Sequence, residues 1–279
     1  MFDWLLSAKF IVAFALALLW LLESFFPAAP AGAQRVRHAV RNLTLGALNA
    51  GLTALLLAGL IVAVANWTAA AQVGLLPLLP LPPLAATVLA IVLLDGGMYG
   101  WHRANHAVPL LWRLHRVHHS DLAMDATSAV RFHAGEILLS GLLRAALIPV
   151  LGLSSKQILL YDTLLLPVIL FHHSNVHLPE QVDRILRVVL TTPALHRVHH
   201  ARIRSEADSN YGSIFSGWDR LLQTLRVRHT RVDFGVDGFD SESQQTVSGL
   251  LQMPFTNASS ATRVWSSVAP VHVKPPRLQ

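Results

Sequence analysis

Apolar residues in the amino-terminal part of the chain form long runs rather than the alternation of a half-buried strand. The runs cover Trp4–Phe26, Leu43–Trp67 and Leu84–Tyr99. A helix needs about 20 mostly apolar residues to cross a bilayer core. The first run contains only the charges of Lys9 and Glu23, which lie near its ends. These runs therefore predict membrane-spanning helices.

Two shorter apolar stretches, Ile137–Leu153 and Ile158–Phe171, follow with a short Gly- and Ser-containing joint. They are short for full spans, so they predict a helical hairpin that dips into the bilayer or barely crosses it. The Pro- and Leu-rich stretch Leu75–Pro83 predicts a non-helical connector or an interfacial segment. From Leu178 onward the pattern is mixed and typical of a water-soluble segment, and Val268–Gln279 is expected to be disordered.

The composition agrees with a membrane protein, because 53% of residues are hydrophobic and only 14% are charged. A soluble domain averages about a quarter charged residues. The net charge of +6 comes mostly from arginines beside the apolar runs, which the positive-inside rule explains without nucleic-acid binding. The basic segments 35–41 and 103–131 fall on one face, predicted to be cytoplasmic. We expect an integral membrane protein, of the inner membrane if the source is bacterial, with its site on the cytoplasmic side.

The histidines are concentrated in a repeated pattern. Leu-His-Arg-Val-His-His occurs at 114–119 and again at 195–200, and each copy places histidines at i, i+3 and i+4 on one helix face. His102 and His106 form an HxxxH pair before the first copy, and His173 and His177 form another before the second. Of 15 histidines, only His38, His229 and His272 lie outside 102–200. The duplication predicts two metals or one shared cluster.

The absence of cysteine excludes disulfides and thiolate-bound metals, so any metal must use nitrogen and oxygen ligands. Imidazole suits zinc, copper, iron and nickel. Three histidines and a water would describe a zinc hydrolase, whereas nine or ten fit two metals about 4–6 Å apart, slightly beyond the usual two-metal spacing. Asp95 shares a helical stripe with Tyr99, His102 and His106. We expect it to pair with a ligand histidine or with an arginine of a neighbouring helix.

The ordered motifs resemble those of the fatty acid hydroxylase / sterol desaturase superfamily of membrane di-iron oxygenases. The resemblance covers about Asp95 to Thr224 and is weaker at Leu250–Phe255. Its motifs are Asp95-x3-Tyr99-x2-His102-Arg103-x2-His106, Leu111-Trp112-x2-His115-x2-His118-His119-Ser120, Thr127–Glu136 with Arg131 and His133, His173-Ser-Asn175, Thr192-Pro193-x2-His196-Arg197-x-His199-His200, and Asp208-x-Asn210-Tyr211-Gly212-x5-Trp218-Asp219-Arg220.

The resemblance implies an all-α integral membrane protein. About four transmembrane helices, counting the short hairpin, would lie under a cytosolic helical cap that holds a histidine-rich dimetal site. The chain would divide into amino-terminal membrane helices (1–94), a catalytic domain (95–228) and a polar carboxyl-terminal tail (229–279). It implies O₂-dependent hydroxylation or desaturation of a lipid, sterol-like, fatty-acyl or related, with electrons from a cytochrome b5-like protein or a ferredoxin.

The resemblance also implies two iron ions, for which zinc can substitute on purification. The implied ligands are His102, His106, His115, His118, His119, His173, His177, His196, His199 and His200. Residues expected around them, as partners, weaker ligands or packing residues, are His133, His172, Asp95, Asp121, Asp125, Glu136, Asn175, Asp208, Asn210, Tyr211, Trp218 and Asp219. The residues alone leave two other classes open, a membrane metal-transport or storage protein and a zinc-dependent membrane hydrolase. Transporters place their ligands near the bilayer midplane, whereas these histidines follow the apolar runs.

Overall fold

The computed structural model describes residues 2–30, 32–228 and 231–257, and the side chains from residue 10 onward within the first range. The predicted disorder of Val268–Gln279 lies outside the described residues, as does the rest of the predicted tail beyond 257. In the described part of the chain, secondary structure is helical apart from three isolated β-bridges. The predicted all-α class is confirmed for these residues.

Twelve α-helices follow one another along the described chain. They are α1 (Phe2–Phe25), α2 (Arg35–Leu56), α3 (Ala58–Ala71), α4 (Pro83–Ala107), α5 (Pro109–His119), α6 (Ala134–Leu151), α7 (Ser155–His173), α8 (Glu180–Leu186), α9 (Pro193–His199), α10 (Arg204–Ala207), α11 (Gly217–Leu221) and α12 (Val247–Gln252). Short 3₁₀ turns lie at Leu76–Leu78, Ala126–Val130 and Met253–Phe255.

The second apolar run differs from its prediction. Instead of one helix over Leu43–Trp67, helix α2 begins at Arg35 inside the basic loop, and the helix is interrupted at Leu57 before α3. Leu57 still donates its N–H to the Thr53 carbonyl at 2.9 Å, so α2 and α3 are nearly continuous. No proline follows Pro30 in this region, so none blocks the start of a helix at Arg35.

Three segments of the described chain are long and apolar enough to cross a membrane. They are Ala58–Leu78, Pro83–Ala107 and Ala134–Leu151.

The predicted hairpin is formed by α6 and α7, the latter with 19 residues. Gly152 ends α6 with φ +77°, and a Cβ there would lie 2.4 Å from Pro77 Cδ, so the turn packs against the connector before α4. Four transmembrane helices and a cytosolic cap remain predictions.

A buried apolar core joins the candidate spans α3, α4 and α6 to α7. Its members include Ala65, Leu94, Ile148 and Tyr161, each almost fully buried. Helix α1 packs separately on α7 and on the turn Ala126–Val130, where Leu19 meets Leu170. Because these four helices pack in one core, their ends are fixed relative to one another. These include the ends of α4 and α7 that carry histidines.

Residues 231–257 are packed onto α5 rather than forming a separate polar tail. Val236, Phe239 and Leu250 share an apolar cluster with Leu45 of α2 and Val117 of α5. Arginines of α5 also bond to backbone carbonyls of this segment, for example Arg113 Nε to Pro254 at 2.8 Å. These contacts attach residues 231–257 to the histidine-bearing helix α5, and the division of the chain into three parts stays a prediction.

Candidate metal centre

Four helix ends bring the histidines together. His102 and His106 lie in the last turns of α4, His115, His118 and His119 fill the last turns of α5, His173 ends α7, and His196, His199 and His200 come from α9 and its carboxyl-terminal cap. Pro109 and Pro193 stand at the first turns of α5 and α9, where proline is well tolerated. The two short helices thus start at defined residues and present i, i+3, i+4 histidines inward.

The histidines form two groups, in each of which the possible ligand atoms lie within 4.8 Å of one another. One group has five members and the other has four. The five are His102, His106, His115, His119 and His199; the four are His118, His173, His196 and His200. Each Leu-His-Arg-Val-His-His copy contributes to both groups, so the repeated strings interlock rather than building one site apiece.

Hydrogen bonds fix which ring nitrogen carries the proton in most of these residues. A carbonyl or carboxylate oxygen can only accept, so an Nδ1 atom that contacts one must be protonated. This holds for His102 with Tyr211 O (2.9 Å), His106 with Asp208 Oδ1 (3.2 Å), His115 with Glu136 Oε1 (2.7 Å), His118 with Arg131 O (3.2 Å), His173 with Ile169 O (2.8 Å) and His199 with Ser209 O (2.7 Å). Neutral imidazoles held in this way leave Nε2 as a bare acceptor.

The Nε2 atoms face one another at hydrogen-bonding distance, and in the His118–His173 pair both Nδ1 protons are already donated to carbonyl oxygens, so neither Nε2 has a proton to share. His173 Nε2 lies 3.0 Å from the Nε2 atoms of both His118 and His196. In the other group, His119 Nε2 lies 3.1 Å from that of His106 and 3.2 Å from that of His115. The Nε2 atoms of His102 and His199 are buried without any partner. Converging lone pairs repel unless a cation lies between them, so this donor set fits two metal ions.

Burial favours the neutral form of five of these imidazoles, the form that metal ligation requires. Eight of the nine are buried and His102 is partly buried. Burial, and then the neighbouring imidazoles, lower the pKa of His118, His119, His196 and His200 well below the usual range. The pKa of His199 is lowered likewise, by burial first.

Two predicted carboxylates lie directly against the histidine groups. Glu136 accepts from His115 and also from Asn105 Nδ2 at 3.2 Å. Asp208 accepts from His106 and from Arg204 Nε at 3.0 Å. Asp121 and Asp125 instead bind His38, at 2.7 Å and 3.1 Å, together with nearby hydroxyl groups. Their role is to tie α2 to the turn after α5.

Other predicted residues hold the loops that carry the histidines or their partners. The predicted pairing of Asp95 with a histidine or arginine is wrong, because its carboxylate accepts from Tyr161 Oη and from the N–H groups of Ile214 and Phe215. Asp219 accepts from the backbone of Tyr211, whose carbonyl holds His102.

Two asparagines among the predicted site residues also form hydrogen bonds to backbone groups. Asn210, with φ +53°, binds Leu195 and Arg226, and Asn175 binds Ala29 through both ends of its amide. The Trp218 ring packs at Gly96 and lies 6.5 Å from the Tyr99 ring. These side chains position the centre without touching the histidine groups.

Three predicted histidines fall outside the two groups. His177 is exposed in the extended segment after α7, so its assignment as a ligand is corrected. His133 caps α6 through its Nδ1 and contacts Leu251 O with Nε2. His172 stacks on His196 with ring centroids 4.0 Å apart, as a packing neighbour of the four-histidine group. The HxxxH spacing of His173 and His177 misled the prediction because α7 ends at His173.

Sequence reasoning missed the backbone carbonyls and one aromatic ring. Carbonyl oxygens of Arg131, Ile169, Ser209 and Tyr211 hold four of the imidazoles, and no side-chain pattern identifies them. Phe132 stacks on His118 with ring centroids 4.2 Å apart and an interplanar angle of 12°. The sequence feature that could have identified Phe132 is its position between Arg131 and His133 in the motif Thr127–Glu136.

Comparison with known proteins agrees with this centre. A model of the fatty acid hydroxylase family matches residues 87–224, which include every member of both histidine groups. The chain is similar to an ornithine lipid hydroxylase of Rhizobium tropici, with 31% identity over 54% of this chain and 45% of the relative. It is also similar to human alkylglycerol monooxygenase (29%, over 51% and 31%) and to a cholesterol 25-hydroxylase-like protein of Danio rerio (31%, over 48% and 53%).

The matched part of this chain therefore spans about half, or less, of each of these relatives. No solved structure gave a significant match.

Proposed function

Because the chain belongs to the fatty acid hydroxylase family through residues 87–224, we propose that it is a membrane-bound di-iron oxygenase that hydroxylates a lipid. The observation that carries the proposal is the pair of interlocked histidine groups, in which ring nitrogens converge and the buried Nε2 atoms of His102 and His199 have no partner. Metal transport or storage would not call for a rigid centre held by four helix ends. A single-zinc hydrolase would leave one whole group unused.

Hydroxylation is proposed over desaturation because the relatives are named for it. Their printed names describe hydroxylases or monooxygenases of an ornithine lipid, of alkylglycerols and of cholesterol. These substrates share a lipid character but differ in headgroup and skeleton. We therefore propose a lipid as the substrate class of this chain and leave its skeleton open.

The five-histidine group would hold one iron ion and the four-histidine group the other. Bound iron would supply activation of dioxygen with two electrons and two protons, so that one oxygen atom enters a C–H bond and the other leaves as water. Glu136 and Asp208 keep His115 and His106 oriented and place negative charge beside neutral ligands. Phe132 stacks on His118 and Trp112 lies at a tilt against His119, so both rings would help to keep water from the centre.

The electron donor is proposed to be a cytochrome b5-like protein or a ferredoxin that meets the chain on the cytoplasmic side. Support comes from position: the histidine groups lie at the ends of α4 and α7 that adjoin the basic segments. The positive-inside rule assigns those segments to the cytoplasm. In a bacterium the membrane would be the inner membrane.

The test compares lipid extracts from cells that lack the gene with extracts from cells complemented by the wild-type chain or by His199→Ala. A lipid that gains one oxygen atom only with the wild-type chain, and gains the heavy isotope when cells grow under ¹⁸O₂, would support the proposal. Iron content near two per purified chain should accompany it. Label taken from water instead of from O₂, or equal product with His199→Ala, would refute it.

A further inference from the structure

A large cavity with several charged side chains in its wall is lined in part by α9. It has a volume of about 920 Å³ and is bounded by the segment after α1, the start of α2, the turn after α5, helix α9, Arg228 and residues from 231–245. Ligand pockets typically measure about 300–1,000 Å³. Ala194 and Arg197 of its wall belong to α9, the helix that supplies His196 and His199. The cavity therefore shares a helix with the candidate metal centre.

The wall of this cavity carries more positive than negative side chains. Six arginines line it against four carboxylates. Three of those arginines already contact a glutamate: Arg35 contacts Glu23, Arg41 contacts Glu242 and Arg228 contacts Glu206. Asp121 and Asp125 are in turn bound by His38. Asp233, the fourth lining carboxylate, pairs with Arg202, which does not line the cavity. Among the described residues, Arg131, Arg197 and Arg231 are the lining arginines without an ion pair to a carboxylate.

Arg131 is held entirely by neutral oxygens. Its guanidinium donates to Val117 O, Asn42 Oδ1, Ser120 Oγ and Gln245 Oε1 at 2.6–3.2 Å, so it is anchored in the wall. It contributes charge to the cavity but has little capacity for a further partner.

Arg197 differs because its only hydrogen bond among the described residues is a long one, 3.4 Å from Nη1 to Ser174 O. No described carboxylate lies within ion-pair distance of it. The nearby acid, Asp183, is already bound by Arg187 and by Thr192 Oγ1. A half-buried guanidinium with unused N–H groups is costly unless an anion meets it.

We propose that this cavity binds a phosphate or carboxylate group through Arg197, with Arg131 and Arg231 adding positive potential. A phosphate or carboxylate would accept two parallel N–H bonds from the guanidinium. The anion belongs either to the headgroup of a lipid or to a soluble phosphate. The lipid source rests on the proposed function, since it would place the headgroup beside the centre that oxidises the same molecule.

The experiment titrates the full chain, purified in a neutral detergent and loaded with iron, with three probes in a calorimeter. They are dihexanoyl phosphatidate, dihexanoyl phosphatidylcholine and inorganic phosphate. We expect the phosphatidate to bind at least about tenfold more tightly than the zwitterionic phosphatidylcholine, and more weakly as salt increases. Arg197→Gln should weaken that binding about tenfold or more, the effect of one lost charge-assisted contact.

The matched control is Arg184→Gln on α8, which removes an exposed arginine that does not line the cavity. Arg197→Lys, which keeps the charge, should lose less affinity than Arg197→Gln, and iron content reports whether each variant retains the centre. Phosphatidate binding that inorganic phosphate does not displace assigns the anion to a lipid, and equal binding of both assigns a soluble anion. Either result supports the site.

Unchanged phosphatidate affinity in iron-loaded Arg197→Gln, or equal affinity for the two lipids, would overturn the proposal. The measurement does not use turnover, so its outcome is separate from that of the oxygenase test. A chain that binds phosphatidate but oxidises no lipid would refute the proposed function alone.

Discussion

The Nδ1–H of His115 points at Glu136 Oε1 across 2.7 Å, and both residues are buried. This contact fixes the His115 tautomer and places a negative charge beside the five-histidine group. Glu136→Ala should therefore lower metal affinity about 10- to 100-fold, the usual effect of removing such a partner. The metal content that remains after competition with a chelator measures this loss of affinity. Glu180→Ala, at an exposed position of α8, should keep the wild-type content; the same content in Glu136→Ala would contradict the assignment.

His177 and His173 offer a direct test of the corrected ligand set. His177 is exposed and outside both groups, whereas His173 Nε2 lies 3.0 Å from two other Nε2 atoms. His177→Ala should retain about two metal ions per chain, the capacity of a two-metal site, and full activity. His173→Ala should lose metal from the four-histidine group. Metal analysis and turnover on the same preparations measure both effects, and loss of metal in His177→Ala would restore the original prediction.

The two groups should lose metal separately. His106 belongs to the five-histidine group and His200 to the four-histidine group. Single substitution of either by alanine should weaken metal binding in its own group and leave the other group's ion tightly bound, since each group forms its own donor set. Activity should vanish in both variants because the chemistry needs two ions. Complete loss of both ions in either variant would instead indicate one cooperative cluster, a result that the metal-to-protein ratio distinguishes.

His38 gives the protein a pH-dependent stability at alkaline pH. Burial alone would lower its pKa, but the carboxylates of Asp121 and Asp125 prevail and raise it to about 10. A raised pKa means that the stabilisation is fully present below the unfolded value of about 6.5 and is lost as pH rises through about 10. The apparent midpoint of thermal unfolding should fall over this range. His38→Gln should flatten the fall relative to wild type, whereas His177→Gln should not.

The packing of residues 231–257 on α5 predicts a contrast between two phenylalanines. Phe239 is 1% exposed in the cluster with Val117, whereas Phe255 is 75% exposed. Phe239→Ala should lower the free energy of unfolding by about 3–5 kcal/mol, as for other buried phenylalanines. Phe255→Ala should change it by less than about 1 kcal/mol. Equal effects of the two substitutions in denaturant titrations would show that this segment does not pack as described.

Much of the helical framework follows from local sequence. Long apolar runs need internally satisfied backbone in a membrane, so they predicted helices near α1, α4, α6 and α7. Prolines at 109 and 193 mark the starts of the two histidine helices, because the first turn of a helix tolerates proline best. The sequence missed the interruption at Leu57 and the end of α7 at His173, because helix ends depend on contacts with other elements.

The sequence alone determined that the three histidines of each repeated string would share one helix face, since i, i+3, i+4 spacing is a property of any α-helix. Only the tertiary structure decided the division of the histidines into groups of five and four, in which each repeated string serves both. It also decided which atoms hold the imidazoles, namely Glu136, Asp208 and four backbone carbonyls. Local spacing sets the face on which a side chain lies, but the packing of four separate helix ends sets what that side chain meets.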